Sequence, residues 1–145
     1  LPIYMCINLD AMELPMPDNA ADVILANHMI YHIPDQQKAL SEFRRVLKPG
    51  GKMIAATNSA GTMQELKTLR TAAARRIIPD FPELDESVAL SFVMETGDQI
   101  LKQAFERVEL NILDSWLVFR EPQPVIDYIG SSRDWWEEIL GEAIS

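Results

Sequence analysis

Apolar residues in the first 60 positions fall into short runs separated by one longer amphipathic segment. The runs 3–7, 23–26 and 53–57 do not alternate with polar residues, which is typical of strands covered on both faces of a sheet. Between the second and third runs, apolar residues recur at helical spacing behind Asp35, a good N-cap residue, and Pro49 ends this segment. Strand, crossover helix and strand form a βαβ unit, so we expect two parallel neighbouring strands.

Polar residues follow each of these three runs. Asp10 comes after the first run, residues 27–32 follow the second, and residues 57–59 follow the third. In open parallel sheets, ligands bind beyond the carboxyl ends of the strands. The pattern therefore predicts a binding site at one edge of the sheet.

The rest of the chain predicts two further helices, then strands. A capping box at Thr62 opens a helix to about residue 78, and a second capping box at Thr96 opens another. Residues 108–113 and 116–119 have the composition of two strands, joined by a turn and hence antiparallel. A short helical segment is expected after them, over 125–129.

Composition and charge narrow the function. The 145 residues are enough for one domain, and the net charge of -9 argues against a nucleic-acid partner. No apolar run approaches the roughly 18–20 residues of a membrane span. The single cysteine, Cys6, is expected to be a buried strand thiol, and one thiol suggests a reducing, cytoplasmic location. Two histidines on one loop are too few for a zinc site, so no metal is expected.

Taken singly, the polar residues carry weak signals. An aspartate after a strand, such as Asp10, is usually a turn residue, and Asn27 and His28 also fit ordinary turn chemistry. His32 is a candidate general base because histidine titrates near neutral pH, but a single histidine on a loop more often only packs within that loop.

Taken together, the same residues form an ordered set. Its members, in chain order, are Asp10-Ala11, 14–18 (LPMPD), Asp22-Val23, Asn27-His28-Met29, His32 and 45–51 (RVLKPGG). This set resembles the class I S-adenosylmethionine-dependent methyltransferases, in the branch that includes ubiquinone and menaquinone C-methyltransferases. The resemblance covers residues 3–58 well, and residues 92–132 also look like the C-terminal part of that family.

The resemblance implies an α/β fold with a Rossmann-like sheet of seven strands in the order 3-2-1-4-5-7-6, strand 7 being antiparallel. On this map 3–7, 23–26 and 53–57 are strands 3, 4 and 5, while 108–113 and 116–119 are strands 6 and 7. Strands 1 and 2, with the glycine-rich loop, would precede Leu1. We therefore expect a partial sheet, in which strands 3 to 7 are present and strands 1 and 2 are missing.

The same resemblance divides the chain into three parts of one truncated domain. Residues 1–59 would carry the cofactor-side strands, 60–94 a cap or insertion, and 95–145 strands 6 and 7 with C-terminal helices. Because a missing neighbour leaves an apolar strand edge exposed, we expect a homodimer or strand exchange through that edge.

The resemblance also assigns site residues for S-adenosylmethionine. Asp10, Ala11 and Met12 would meet the adenine, and Asn27 and His28 the methionine part of the cofactor. The remaining contacts would come from residues upstream of Leu1.

The expected function is methyl transfer from S-adenosylmethionine to a small-molecule acceptor, as part of a longer enzyme, with this chain alone inactive. His32 is the candidate catalytic base, and Met63 and Leu66 either line the acceptor pocket or belong to the core. The alternative is a non-catalytic interaction domain that has lost cofactor binding.

Overall fold

The computed structural model describes residues 6–81 and 91–131. Within these ranges the chain forms two strands, four helices and one 3-10 turn. In chain order they are β1 (Ala21–Asn27), the 3-10 turn (Ile30–His32), α1 (Gln36–Val46), β2 (Leu47–Ala56), α2 (Gln64–Ile77), α3 (Met94–Leu101) and α4 (Gln123–Gly130). Residues 6–70 and 91–110 belong to one compact unit, and residues 71–81 and 111–131 belong to a second.

Strands β1 and β2 are parallel neighbours, which confirms the predicted βαβ unit. Ala26 lies opposite Ala55 and Asn27 opposite Ala56, so both strands end at the same edge. The seven-strand order stays a prediction, because these two strands are the sheet of the described residues.

The start of β2 contains an irregularity that places two glycines in demanding positions. Ala21 pairs with Leu47 but Val23 pairs with Lys52, so residues 48–51 bulge out of the ladder. Gly50 has a φ of +80°, a left-handed conformation that L side chains rarely adopt. A Cβ at Gly51 would lie 2.9 Å from the carbonyl oxygen of Lys48 and 3.0 Å from that of Asp22.

Helix α1 packs on one face of the sheet and supplies four of the buried core residues. It begins as predicted after Asp35, whose Oδ1 accepts a hydrogen bond of 2.9 Å from the Lys38 N–H. Its apolar side buries Ala39, Leu40, Phe43 and Val46. Three of these form a cluster with Ile33, against which Ala11, Met12 and Leu14 pack.

A second buried cluster joins the sheet to the segment before α3. It consists of Ala26, Ile30 and Phe92. Helix α3 passes close to this ring, since a Cβ at Gly97 would lie 3.2 Å from Phe92 Cζ. Small size at position 97 therefore lets the helix approach the cluster.

The predicted start of α3 is wrong by three residues, since the cap is Val93 and not Thr96. The helix begins at Met94, and Thr96 is its third residue rather than its cap. Thr96 Oγ1 instead reaches back and accepts a hydrogen bond of 3.3 Å from the Val93 N–H. Burial of Val93 beside Phe92 fixes the chain entering the helix, and this packing outweighs the capping preference of threonine.

The predicted strand at 3–7 is not observed in its described part. Residues 3–5 lie outside the described residues, whereas Cys6 and Ile7 have no strand structure and are exposed. The expectation of a buried Cys6 thiol is therefore wrong. A strand is stabilised by pairing and by covered faces, and Cys6 and Ile7 lack both in this structure.

The predicted strands 108–113 and 116–119 are also not formed. Trp116 is 82% exposed and Val118 81% exposed. Strand propensity depends on packing against cross-strand neighbours, and a two-stranded hairpin alone is marginal in water. The apolar composition of residues 108–119 favours strands, but no strand forms there because the described residues supply no neighbouring strand.

One face of the β1–β2 pair has no cover in the described residues. Val23, Leu25 and Ile54 alternate with the inward-facing residues and are more than half exposed, Leu25 reaching 65%. Alternation of this kind is typical of strands with one packed face and one open face. The sequence-based expectation of strands covered on both faces therefore holds for one face only.

Candidate functional site

The carboxyl ends of β1 and β2 form a single rim. The His28 N–H donates to the Ala56 carbonyl oxygen at 2.9 Å, which extends the ladder by one residue beyond β1. His28 has a φ of +49°, a left-handed conformation that costs about 1–3 kcal/mol in a residue other than glycine. Such strain concentrates at functional sites, and here it turns the chain sharply where the predicted methionine-side residues Asn27 and His28 lie.

The predicted adenine-side residues form a closed turn. Asp10 Oδ1 accepts a hydrogen bond from the Met12 N–H at 2.8 Å, and the Asp10 carbonyl oxygen accepts one from Glu13 N–H at 3.1 Å. Asp10 is exposed, whereas Ala11 and Met12 are half-buried against the α1 cluster. The Met12 N–H is thus used inside the turn, and the Ala11 N–H is the one that follows Asp10 directly.

A clamp around Arg45 holds the loop that follows this turn. The Arg45 guanidinium donates five hydrogen bonds of 2.7–2.9 Å. The acceptors are both Glu42 carboxylate oxygens, Asp18 Oδ1 and the carbonyl oxygens of Leu14 and Met16. Glu42 Oε2 also accepts from the Leu14 N–H at 2.9 Å.

These contacts shift the pKa values of Glu42 and Arg45, which both lie on α1. The hydrogen bonds from Arg45, and then that from Leu14 N–H, lower the pKa of Glu42 from 4.5 to about 2. The same pairing raises the pKa of Arg45. The sequence does not reveal that this pair holds the loop of residues 14–18. Their i, i+3 spacing is the signal that predicts the pair.

The loop after β2 is tied to the start of α3 by four hydrogen bonds. Glu95 accepts from Ser59 Oγ at 2.5 Å and from the Ala60 N–H at 3.0 Å. Thr57 Oγ1 donates to the Phe92 carbonyl oxygen at 2.7 Å, and the Met94 N–H donates to the Asn58 carbonyl oxygen at 3.0 Å. The Ser59 hydroxyl, followed by the Ala60 N–H, holds the pKa of Glu95 below its usual value. Residues 92–95 thereby form a wall beside the rim that the sequence did not reveal.

His32 ends the 3-10 turn beyond β1. Its N–H donates to the Met29 carbonyl oxygen at 3.0 Å, and its exposed ring lies 4.4 Å from the Tyr31 ring, centroid to centroid. The Tyr31 carbonyl oxygen accepts a hydrogen bond of 3.3 Å from Ser91 Oγ. The loop carrying His32 is thus tied to the same segment that meets the β2 loop.

Met63 and Leu66 lie at the start of α2 and are both half-buried. Met63 has a φ of +57° just before the helix, and its carbonyl oxygen accepts from the Lys67 N–H at 3.0 Å. Neither residue belongs to the two buried clusters of the described residues. Whether they face an acceptor stays a prediction.

No group of three or more His, Cys, Asp or Glu in residues 6–81 and 91–131 is arranged to hold a metal ion. In the same residues, no helix has the length and apolar character to cross a membrane.

Comparison with known proteins finds relatives for the part of the chain that carries the rim. Residues 2–55 match the family model described as a methyltransferase domain. The demethylmenaquinone methyltransferase of Staphylococcus aureus strain MRSA252 is 36% identical over 107 residues, covering 69% of this chain and 44% of the relative. The protein of the same name from strain JH9 is 36% identical over 75 residues, covering 52% of this chain and 31% of the relative. The chain thus spans less than half the length of these curated relatives.

Proposed function

We propose that this chain, which belongs to the class I S-adenosylmethionine-dependent methyltransferases of the menaquinone branch, takes part in methyl transfer to a small-molecule acceptor. The observation that carries the proposal is the parallel β1–β2 pair, whose ends bring the predicted residues Asn27 and His28 to one rim with Thr57. Ligands of open parallel sheets bind at such a rim.

The residues of the Asp10 turn fit the adenine end of S-adenosylmethionine. Asp10 is exposed, and its carboxylate has acceptor capacity beyond the single hydrogen bond from the Met12 N–H. A carboxylate can accept from the adenine amino group while the Ala11 N–H donates to a ring nitrogen. Met12, half-buried beside the α1 cluster, offers an apolar surface to the base.

Asn27 and His28 would hold the methionine end across the rim. The bound cofactor supplies an electrophilic methyl group on its sulfonium, and the protein contributes orientation and exclusion of water. A strained backbone such as that of His28 persists only where the surrounding structure holds it, which suits an orienting role.

For the acceptor we propose a demethylated quinone in its reduced, hydroquinone form. Demethylmenaquinone, a compound of this class, appears in the names of the relatives. Such a nucleophile is activated by removal of its hydroxyl proton, which requires a base within hydrogen-bond reach. We assign this role to His32, whose ring is exposed on the loop beyond β1. Met63 and Leu66, in the segment 60–94, would line the apolar side of the acceptor pocket.

The proposal is tested by measuring cofactor binding and methyl transfer on the same variants, made in the chain joined to an upstream half that carries the glycine-rich loop. Asp10→Asn is expected to weaken S-adenosylmethionine binding in calorimetry. His32→Gln should lower kcat for transfer of a labelled methyl group to a demethylmenaquinone analogue without changing cofactor affinity. Asp114→Asn, an exposed carboxylate elsewhere on the chain, is the matched control. Cofactor binding that is unchanged in Asp10→Asn would remove the adenine assignment.

A second candidate function follows from the β1–β2 sheet, which in the described residues has one uncovered face and unpaired outer edges. Val23, Leu25 and Ile54 expose apolar surface, and in the described residues β1 and β2 pair only with each other. Unpaired strand edges invite pairing with another chain, so the protein could be a non-catalytic interaction domain or could form a homodimer through this edge. Light scattering at high concentration tests the association. Association together with absent cofactor binding would favour the interaction domain, and association with binding would favour a dimeric enzyme.

A further inference from the structure

The Asp10 turn owes its position to groups outside the turn. Its own two hydrogen bonds close it internally but do not connect it to the helix or the sheet. The connection comes at Leu14, one residue after the turn. The Leu14 N–H donates to Glu42 Oε2, and the Leu14 carbonyl oxygen accepts from Arg45.

Arg45 uses its full donor capacity in this clamp. A guanidinium carries five N–H donors, and five hydrogen bonds leave it. Two of them bind Glu42 side by side, a geometry that fixes the plane of the guanidinium. The others reach Asp18 and two carbonyl oxygens of the loop, so three points of residues 14–18 are held by one side chain.

The clamp acts on the cofactor only through the turn. Arg45 contacts the loop of residues 14–18, whereas the proposed adenine contacts lie at Asp10 and Ala11. The loop is thereby fixed against the end of α1. Met12 and Leu14 pack on the buried cluster of α1 residues and Ile33. Asp10 is thereby held where it would contact the adenine of the cofactor.

We propose that Arg45, oriented by Glu42, is a positioning residue that sets the place of the adenine-binding turn. This inference rests on the proposed function, because it assumes that Asp10 meets the adenine amino group. It adds a residue outside the rim on which cofactor affinity depends.

Two ligands separate positioning from general loss of structure. S-adenosylhomocysteine carries the adenine amino group, and S-inosylhomocysteine lacks it. Misplacing the turn should raise the Kd of the adenine ligand in Arg45→Met by about ten- to a hundredfold, the loss expected when a hydrogen bond to the Asp10 carboxylate is broken. The Kd of the inosine ligand should rise much less, because the contact with Asp10 is already absent there.

Arg45→Lys and Lys48→Met complete the series. Lysine keeps the charge but has three donors and no fork, so Arg45→Lys should recover only part of the affinity. Lys48→Met removes a surface ion pair with Asp22 near the same helix end, without touching the loop, and should bind like the unchanged protein. Hydrogen exchange of the amides of residues 11–14 should quicken in the Arg45 variants.

Each outcome decides the question. Folded Arg45 variants that bind S-adenosylhomocysteine as the unchanged protein does would overturn the inference, and so would an equal loss for both ligands. If Arg45→Met does not fold, Arg45→Lys and Glu42→Gln carry the same comparison. All measurements use the chain joined to an upstream half that carries the glycine-rich loop; if that unchanged protein binds neither ligand, the proposed function fails and takes the inference with it.

Discussion

The packing of Gly50 and Gly51, at the junction between α1 and β2, can be tested by adding one methyl group at each position. Gly61, which follows β2, serves as the control. Gly51 is sterically enclosed, Gly50 has a left-handed backbone with open space around it, and Gly61 lies in a turn with its nearest neighbour, Ser59 Oγ, at 3.7 Å. Replacing each by alanine adds the same atom. The differences in stability therefore report the surroundings rather than the substitution.

The expected magnitudes follow from these distances. In Gly51→Ala the new Cβ meets backbone oxygens at 2.9 and 3.0 Å, which backbone must move to relieve, and overpacking of this kind costs about 1–3 kcal/mol. In Gly50→Ala only the left-handed conformation is penalised, by about 1–2 kcal/mol. Gly61→Ala should stay within about 0.5 kcal/mol of the unchanged protein.

Urea unfolding followed by circular dichroism measures the series. With a slope of about 1–3 kcal/mol per molar, the Gly51→Ala midpoint should fall by roughly 1 M, whereas the Gly61→Ala midpoint should not move. Gly50→Asn should recover part of the loss of Gly50→Ala, because asparagine tolerates the left-handed region, while Gly51→Asn should not. The reasoning is refuted if Gly51→Ala is as stable as Gly61→Ala.

Two further predictions concern the clamp and the second cluster. The depressed pKa of Glu42 means that its stabilising effect is complete above its ordinary value of 4.5 and is lost as pH falls towards about 2. Glu42→Gln should therefore unfold with a shallower dependence on pH between about 5 and 2, and an unchanged slope would contradict the pairing with Arg45. Phe92→Ala removes a ring that is 2% exposed and should cost about 3–5 kcal/mol in urea unfolding, with Phe119→Ala, 45% exposed, as the smaller-effect control. Equal losses would show that Phe92 does not hold the cluster together.

The βαβ unit was predictable because local signals and packing agree there. Asp35 is a cap by residue type and accepts the expected hydrogen bond, and the apolar spacing behind it gives the buried side of α1. Asn27 and His28 reach the rim because parallel neighbouring strands have their carboxyl ends on the same side of the sheet. These features depend on residues close in sequence or on a general rule of topology.

The remaining features depend on contacts between distant residues, which one sequence does not display. The role of Arg45 was not predictable, because helical spacing alone cannot show that a loop 27–31 positions away supplies its partners. Glu95 meets Ser59 across 36 positions for the same reason. The segment 108–119 is the opposite case, since its composition favours strands but the described residues provide no partner.

Residues 45–51 also affect how members of this family are recognised from their sequences. The polar and small members of this run each contribute to the fold, since Arg45 clamps a loop, Lys48 pairs with Asp22, Gly50 turns the backbone and Gly51 makes room for it. A homologue that had stopped transferring methyl groups would still need this run in order to fold. The run is therefore a diagnostic of ancestry and not of activity; under the proposed function, active and inactive homologues would differ in the side chains at the rim.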